Sequence, residues 1–259
     1  MRDLKRKVAF ILVNCAHGTF IMNRLDYQPD GAYGGNQILE AGTYEPKEVD
    51  FILALLELRR RYFGDGVVAI DCGANIGVHT VEWSRRMTGW GSVIAIEAQE
   101  RLFYCLAGNI AINNCFNARA IHAAVGAADG MMSVPTLDYL KPARFGSVEL
   151  KQRENPEFIG QAYGPARASV PAMRLDVLEL ERIDLIKIDV EGMELDVLEG
   201  ARTSIDRYHP ILTIETIKTD FDRLTKLLAE LDYQVFQLDR INIAAIHRSD
   251  KTASHVKSA

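Results

Sequence analysis

The sequence lacks an excess of positive charge and any paired arrangement of cysteines. It contains 30 lysine and arginine residues against 35 aspartate and glutamate residues, so its net charge is −5 over 259 residues. A general nucleic-acid-binding protein needs a basic face, and this balance argues against that class. No Cys-x-x-Cys pair occurs, and no histidine cluster stands at zinc-binding spacing. We therefore expect reduced, mostly buried thiols at the four cysteines, Cys15, Cys72, Cys105 and Cys115.

Long apolar runs, internal repeats and low-complexity linkers are missing as well. No stretch approaches the roughly 18 apolar residues that cross a bilayer. The apolar run 8–13 follows positive charges, but it is at the lower limit for a signal peptide, and Asn14 and His17 follow where small residues would be needed. The sequence therefore predicts a cytoplasmic protein whose partners include neither nucleic acid nor a membrane.

The sequence does contain short apolar runs that alternate with segments of helical spacing. Runs of strand length stand at 67–70, 93–96, 118–125, 185–188 and 211–214, and helical patterns at 46–64, 76–87, 102–110, 195–198 and 221–231. Buried strands alternating with helices predict an α/β fold, with a mostly parallel seven-stranded sheet and helices on both faces. The last two runs, 233–238 and 241–246, predict an antiparallel pair that completes the sheet.

The same pattern suggests how the chain is divided. Residues 1–43 are predicted to form an N-terminal extension, with a hairpin around His17 and Gly18 and a loop at 26–42. Residues 44–248 form the α/β domain, and 249–259 a flexible tail. Within the domain, 127–175 is rich in proline and breaks the alternation, so we expect an inserted lid or substrate wall, with a plain surface excursion as the alternative. Whether the hairpin packs on its own domain or on a second subunit, as in a homodimer, stays open.

The most informative segment is Asp71-Cys72-Gly73-Ala74-Asn75-Ile76-Gly77, which connects a predicted strand to a predicted helix. Ligands of open parallel sheets bind beyond the carboxyl ends of the strands. Glycines at 73 and 77 would let the backbone pass close to a ligand, and the first amides of the helix would suit a carboxylate or phosphate. Glu97 ends the next strand, where its carboxylate can accept both hydroxyls of a ribose. The segment therefore predicts a nucleoside site.

Other nucleotide-binding classes fit this segment less well. A nicotinamide-dependent oxidoreductase would carry G-x-G-x-x-G, but Asn75 stands at the middle glycine and no Tyr-x-x-x-Lys dyad follows. Asp71 would repel a pyrophosphate, whereas it could bind the amino group of a methionine moiety. No Walker-type Gly-Lys-Ser/Thr occurs. The remaining alternatives are a tight turn without a ligand and a scaffold that has lost its chemistry.

Several segments together resemble the FkbM-type S-adenosylmethionine-dependent methyltransferases. Residues 68–77 resemble the family's cofactor loop, and 186–194, running on to 198–201, resemble its most distinctive signature. Shorter similarities lie at 44–46, 145–147 and 210–215. The resemblance implies a Rossmann-like class I methyltransferase fold with S-adenosylmethionine as cofactor. It also implies methyl transfer to oxygen or, in some members, nitrogen, with a small-molecule, sugar or peptide acceptor.

The loop and the resemblance together predict the cofactor-binding residues. Position 79 is histidine, where the family pattern would place a different residue. Glu45 is assigned through the resemblance to the methionine end, with stabilisation of a helix start as its alternative. The predicted set is Tyr44, Glu45, Asp71, Gly73, Ala74, Asn75, Gly77, Val78, His79, Glu97, Ala98 and Ala124.

Catalytic roles are predicted for Asp189, Glu191 and Glu215, which leave neighbouring strands near the expected methyl group. Because a neutral hydroxyl is a poor nucleophile, we expect Glu191 or Asp189 to orient or deprotonate the acceptor, while Glu215 lines the pocket. The alternatives are helix capping for Glu191 and a structural hydrogen bond for Glu215. A divalent metal held by the three carboxylates is a less favoured alternative. Glu194 and Glu199 are expected to be solvated.

Overall fold

The computed structural model describes residues 7–27, 37–151, 153 and 155–256. Its strands are β1 (Phe10–Cys15), β2 (Gly18–Asn23), β3 (Val67–Cys72), β4 (Gly91–Glu97), β5 (Ala118–His122), β6 (Ala124–Val125), β7 (Gly130–Pro135), β8 (Arg167–Met173), β9 (Leu185–Ile188), β10 (Ile211–Glu215), β11 (Tyr233–Gln237) and β12 (Asn242–His247). Its α-helices are α1 (Gln37–Ala41), α2 (Pro46–Phe63), α3 (Val78–Arg86), α4 (Glu100–Ile112), α5 (Glu194–Gly200), α6 (Arg202–Tyr208) and α7 (Phe221–Glu230).

Seven strands form the central sheet in the order β11-β12-β10-β9-β3-β4-β5. The strands from β5 to β10 in this order pair in parallel, and β12 pairs antiparallel with both β10 and β11. The predicted α/β fold with a mostly parallel seven-stranded sheet is therefore confirmed. The carboxyl ends of β3, β4, β9 and β10 meet along one edge, which is the edge where such sheets bind ligands.

The sheet is covered on both faces because its central strands are apolar throughout. In β3, Ala69 packs with α2 residues such as Ile52, while the next residue, Ile70, packs on the opposite face with Leu198 and Leu228. Neighbouring side chains of a strand point to opposite faces, so a strand buried on both sides must be a continuous apolar run. This requirement explains why short unbroken apolar runs identify the strands.

The N-terminal hairpin packs on the chain's own domain. Two asparagines at the end of α4 bind the edge of β2 that does not pair with β1. Each asparagine side chain hydrogen-bonds both the N–H and the C=O of one strand residue. Asn109 binds Ile21 at 2.6 and 3.1 Å, and Asn113 binds Thr19 at 3.0 and 2.8 Å. The amide side chain is suited to this role because it offers both a donor and an acceptor.

The segment 127–175 forms a second, smaller sheet. Its strands β7 and β8 are antiparallel, and β8 pairs in parallel with β6. A short 3-10 helix, Phe145–Ser147, lies between them in the chain. Its Phe145 contributes to the core cluster that also holds Phe20 of the hairpin. The segment therefore contacts the rest of the chain in two places, at β6 and at the N-terminal hairpin.

Two sequence-based assignments need correction. Helix α1 lies within the segment 26–42, which was expected to be loop throughout, and residues 28–36 of that segment lie outside the described residues. The predicted flexible tail, residues 249–259, also begins too close to the N-terminus. Asp250 is buried and accepts a hydrogen bond from the Arg59 guanidinium at 2.5 Å, and Val256 packs in the core beside α2. Residues 249–256 therefore belong to the packed domain, because they cover the buried Arg59.

Within the described residues, no helix combines the length and the apolar character that spanning a bilayer requires.

Candidate active site

The loop after β3 is shaped by contacts within the protein. Gly73 has a φ of +78°, and a Cβ atom built there would lie 1.8 Å from the carbonyl oxygen of Asp189. Gly77 has a φ of +88°, and its Cβ would lie 2.5 Å from the Leu106 side chain. Both positions therefore require glycine for the fold itself, in addition to the close approach of a ligand that the sequence suggested.

Asp71 is almost fully buried, with 1% exposure, at the end of β3. Its Oδ2 accepts a hydrogen bond of 2.6 Å from the Thr80 hydroxyl, whereas its buried Oδ1 has no hydrogen-bond partner in the described part of the chain. A buried carboxylate oxygen without a partner is costly, since it has lost its water. Asp71 therefore offers an acceptor that suits a cationic or hydrogen-bond-donating group.

Glu97 holds the loop from the neighbouring strand. Its two oxygens accept hydrogen bonds from the backbone N–H groups of Asn75 at 2.9 Å and of Gln99 at 2.7 Å. Each carboxylate oxygen has a second lone pair, so both can still accept a hydroxyl. Burial raises the pKa of Glu97 to about 7, although the two backbone donors oppose this change.

A narrow cleft of about 40 Å³, open to solvent, lies beside the loop after β3 and Glu97. Of the predicted cofactor-binding residues, Gly73, Glu97, Ala98 and Ala124 line it, and the predicted catalytic residues Asp189 and Glu191 line it too. The structure therefore brings the loop after β3 and the carboxylates of the signature segment to one cleft.

Sequence reasoning missed Gln99 and Gly146, which also line this cleft. The Gln99 amide donates to the carbonyl of Phe145 at 2.7 Å and accepts from the Tyr139 hydroxyl at 3.0 Å. A Cβ on Gly146 would lie 2.7 Å from Nδ2 of Asn75. The resemblance at 145–147 was the available signal, but only the structure shows that this piece closes on the loop.

Other predicted cofactor residues lie outside the cleft lining. The side chains of Ala74 and Val78 pack in core clusters, and Tyr44 is packed beside the hairpin. Cofactor contacts through the backbone of these residues, and of Asn75 and Gly77, stay predictions.

Three carboxylates converge beyond β9 and β10. One oxygen from each of Asp189, Glu191 and Glu215 lies within 4.8 Å of the others. Burial and the negative charge of Asp189 raise the pKa of Glu191 to about 7 and that of Glu215 to about 9. The sequence prediction that these three residues share a site is thus matched by their positions, while their roles stay predictions.

Two buried lysines balance part of this negative charge. Lys187 Nζ lies 2.8 Å from Asp189 Oδ2. Lys218 pairs with Glu191 and, at 2.9 Å, with Glu157, and it also donates to the Ser147 carbonyl at 3.0 Å. Lys218 was missed, because a lone lysine in a loop carries no pattern that a sequence can reveal. It connects the signature segment to the inserted segment.

The expectation for Glu194 is wrong. Its side chain is buried, with 1% exposure, where it accepts hydrogen bonds from the backbone N–H of Gly192 at 3.0 Å and from the Thr219 hydroxyl. The reason is tertiary: the loop after β10 folds over the start of α5. Glu199 is exposed, as expected.

A second, larger cavity of about 810 Å³ adjoins the cleft and is open to solvent. Glu191 lines both cavities. The larger one is bordered by the start of α2, the loop after β10 and the turn before β12, through residues that include Glu45, Glu48, Glu215, Lys218 and Arg240. Glu45 therefore borders the second cavity and not the cleft.

Three residues at the site have a left-handed backbone, although none is glycine. They are Glu45 with a φ of 40°, Asn75 with 50° and Glu191 with 56°. The other non-glycine residues with positive φ in the described chain follow the ends of helices, where such a conformation is common: Asn114, Glu179, His209 and Asp232. Strain of this kind is typical of functional loops.

Comparisons with known proteins agree with this geometry. The family model for the methyltransferase FkbM domain matches residues 71–235, more than half of the chain. Methyltransferase sdnD of Sordaria araneosa is 29% identical over 153 residues, which is 51% of this chain and 59% of that protein. Methyltransferase 1 of Beauveria bassiana is 25% identical over 169 residues, 59% of this chain and 67% of that protein. The match to the first relative thus spans less than two thirds of its length.

A crystal structure of methyltransferase FkbM from Methylobacillus flagellatus superposes with a TM-score of 0.51 and 18% identity, covering 73% of this chain and 48% of that one. At this identity the likeness concerns the fold alone. The family match covers the loop after β3, the three carboxylates Asp189, Glu191 and Glu215, and the strands between them. The chain therefore belongs to the FkbM methyltransferase family.

Proposed function

We propose that this protein transfers a methyl group from S-adenosylmethionine to a hydroxyl, or to an amine or amide nitrogen, of a small molecule, sugar or peptide. The observation that carries the proposal is the buried Asp71 Oδ1, which has no hydrogen-bond partner among the described residues. Asp71 lies two residues before Gly73, which lines the cleft together with Glu97. A cationic cofactor with an amino group and a ribose matches these two acceptors. Family membership supports the same chemistry.

The residues around the cleft fit such a cofactor. Asp71 would bind its amino group, and the second lone pairs of Glu97 would accept its ribose hydroxyls. Ala98 and Ala124 border the cleft with small apolar side chains, which suit contact with a flat ring. Asp189 also lines the cleft, and its negative charge would favour a cationic ligand over a pyrophosphate.

When bound, S-adenosylmethionine supplies an electrophilic methyl group. The protein's part is to align the acceptor and to receive its proton. Glu191 suits this role because it lies at the boundary between the cleft and the larger cavity. With a pKa of about 7, its carboxylate is sufficiently basic to accept a proton near neutral pH. Lys218 and the backbone of the loop fix its position.

Glu215 and Asp189 have different proposed roles. With a pKa of about 9, Glu215 is protonated at neutral pH, so it lines the cavity as a hydrogen-bond donor to the acceptor. Asp189 is held by Lys187 and orients the site. Because two lysines already pair with this group, the proposal includes no metal at Asp189, Glu191 and Glu215.

The larger cavity is the proposed acceptor site, and the segment 127–175 contributes its wall through Arg144, Ser147 and Glu157. The proposed methyltransferase domain then comprises the sequence-based range 44–248 together with the packed residues up to 256.

Binding and turnover test the proposal separately. Calorimetric titration with S-adenosylhomocysteine should show one site, and thermal stability should rise with ligand concentration. Candidate acceptors incubated with labelled S-adenosylmethionine should gain the mass of one methyl group. Absence of any binding at millimolar S-adenosylhomocysteine would favour a scaffold without chemistry and overturn the proposal. Chelation is also combined with the His79→Gln variant: if this variant also loses turnover on chelation and regains it with magnesium, while cofactor binding is unaffected, a metal would have to be assigned to Asp189, Glu191 and Glu215.

A further inference from the structure

A second group of metal-ligating side chains lies at the start of α2 and α3, away from the carboxylates of the proposed methyl-transfer site. Glu45 directly precedes α2, Glu48 lies in the first turn of α2, and His79 lies in the first turn of α3. One ligand atom from each lies within 4.8 Å of the others, and Nε2 of His79 is 3.9 Å from an oxygen of each glutamate.

Among the residues that the structure describes, the imidazole of His79 has no hydrogen-bond partner at either nitrogen, although it is only 6% exposed. A distance of 3.9 Å is too long for a hydrogen bond. Buried ring nitrogens are normally satisfied, and each exception needs an explanation. The other buried histidine of the N-terminal region, His17, shows the contrast, since its ring nitrogens contact Glu82 and Thr43 at 3.0 Å.

The ring of His79 is also held in place. It packs against the fully buried Trp83, one turn further along α3, with ring centroids 5.6 Å apart. Glu45 is held in a left-handed conformation at the start of α2. The ligand atoms are therefore presented by two helices that pack against each other, so the group is preorganised.

We propose that Glu45, Glu48 and His79 bind a divalent transition-metal ion such as Zn²⁺ or Mn²⁺. One imidazole with two carboxylates is a donor set that these ions accept. Two ligand atoms on a tetrahedral zinc are about 3.4 Å apart, so each distance of 3.9 Å between His79 and a glutamate would have to shorten by roughly 0.5 Å. Because both glutamates border the larger cavity, the remaining coordination positions face that cavity and would hold water or an oxygen of its occupant.

The surrounding charge favours a cation. Lys187 lies in this region and repels a second positive charge, but it is paired with Asp189 at 2.8 Å and is also next to Asp71 and Glu48. The Lys187 ammonium group thus interacts electrostatically with four carboxylates, those of Glu45, Glu48, Asp71 and Asp189. The inference does not depend on methyl transfer, because metal binding is measured without cofactor or acceptor.

The test is a titration of the chelator-treated, full-length protein with ZnCl₂ by calorimetry. A parallel titration with CoCl₂ follows tryptophan fluorescence, since Co²⁺ at His79 would quench the neighbouring Trp83. We expect one ion per chain and quenching that saturates at the same stoichiometry. Glu48→Gln and His79→Gln should each weaken binding by at least about tenfold.

Two controls make the result specific. Glu57→Gln removes an exposed carboxylate from the same helix α2, and Glu215→Gln removes one from the other acidic group; both should bind the ions as the wild type does. Thermal unfolding without metal checks that each variant is folded. Unchanged binding in the Glu48 and His79 variants, or no one-to-one binding in the wild type, overturns the inference. A loss of S-adenosylhomocysteine affinity in metal-free Glu48→Gln also overturns the inference, because it would make Glu45, Glu48 and His79 part of the cofactor site.

Discussion

The carbonyl oxygen of Asp189 lies 1.8 Å from the point where a side chain on Gly73 would begin. The loop after β3 and the segment after β9 are therefore interlocked at a place where no side chain fits. Asp189 N–H also donates to the Cys72 carbonyl at 3.1 Å, which ties the same two segments from the other side. The backbone contacts between these two segments consequently set the position of the three carboxylates, Asp189, Glu191 and Glu215, relative to the loop after β3.

Replacement of Gly73 by alanine should separate these segments. The added Cβ would collide with the Asp189 backbone, so we expect S-adenosylhomocysteine binding to be lost and the free energy of unfolding to fall by about 3 kcal/mol. The control is Gly89→Ala, because Gly89 has a similar φ of +84° but open space around it. Its cost should be about 1 kcal/mol, from backbone strain alone. Equal losses in urea unfolding of both variants would contradict the interlocking.

Asp71→Asn should weaken cofactor binding without unfolding the protein. The amide has the shape of the carboxylate and can still accept from the Thr80 hydroxyl, but it has no negative charge for an amino group. We expect calorimetry to show S-adenosylhomocysteine affinity at least about tenfold lower, which corresponds to about 1.4 kcal/mol. Asp65→Asn, at an exposed aspartate, should bind normally. Undiminished affinity in Asp71→Asn would remove Asp71 from the cofactor site.

Glu191→Gln should affect turnover and leave cofactor affinity unchanged. With a pKa of about 7, Glu191 accepts a proton only when ionised, so wild-type kcat should rise with pH through about 7 and then level off. In Glu191→Gln this rise should disappear and kcat should fall by about 100-fold or more. A variant that kept the wild-type pH profile would show that Glu191 only caps or positions.

Glu215 makes stability depend on pH. Burial and the charges of Asp189 and Glu191 raise its pKa from 4.5 to about 9, so between these values the folded state holds a proton that the unfolded state has released. Stability therefore falls as pH rises through this window. Glu215→Gln removes that contribution, so its Tm relative to wild type should increase from pH 5 to pH 8.5 by about 2 °C or more. Exposed Glu199→Gln should show a constant difference, and the same constant difference in Glu215→Gln would contradict the assignment.

Asp250 should be essential for stability, although it lies close to the end of the chain. It shares the buried Arg59 guanidinium with Asp184. Asp250→Asn removes one of the two charges that compensate Arg59, and we expect a loss of about 3 kcal/mol in urea unfolding. The matched control is Asp65→Asn, which breaks the exposed pair with Arg60 and should cost less than about 1 kcal/mol. Similar small losses in both variants would show that residues 249–256 contribute little to the fold.

Local pattern was sufficient for much of the architecture. The apolar runs of β3, β4, β9 and β10 predicted the parallel sheet, because strands covered on both faces must be apolar at every position. The order Asp71, Gly73, Gly77 predicted a ligand loop, since the turn between strand and helix has few sequence solutions. Asp189, Glu191 and Glu215 could be grouped because the carboxyl ends of neighbouring parallel strands meet at one edge.

Contacts between distant segments were decided only by the tertiary structure. Lys218 reaches Glu191 and Glu157 from a loop without pattern, and Glu194 is buried because that same loop covers it. The sequence by itself determined the sheet, the loop and the family, since these depend on periodicity and short motifs. The charge balance of the site, the packing of 249–256 and the position of His79 beside two glutamates depend on how the elements pack, and packing joins residues whose separation along the chain follows no period.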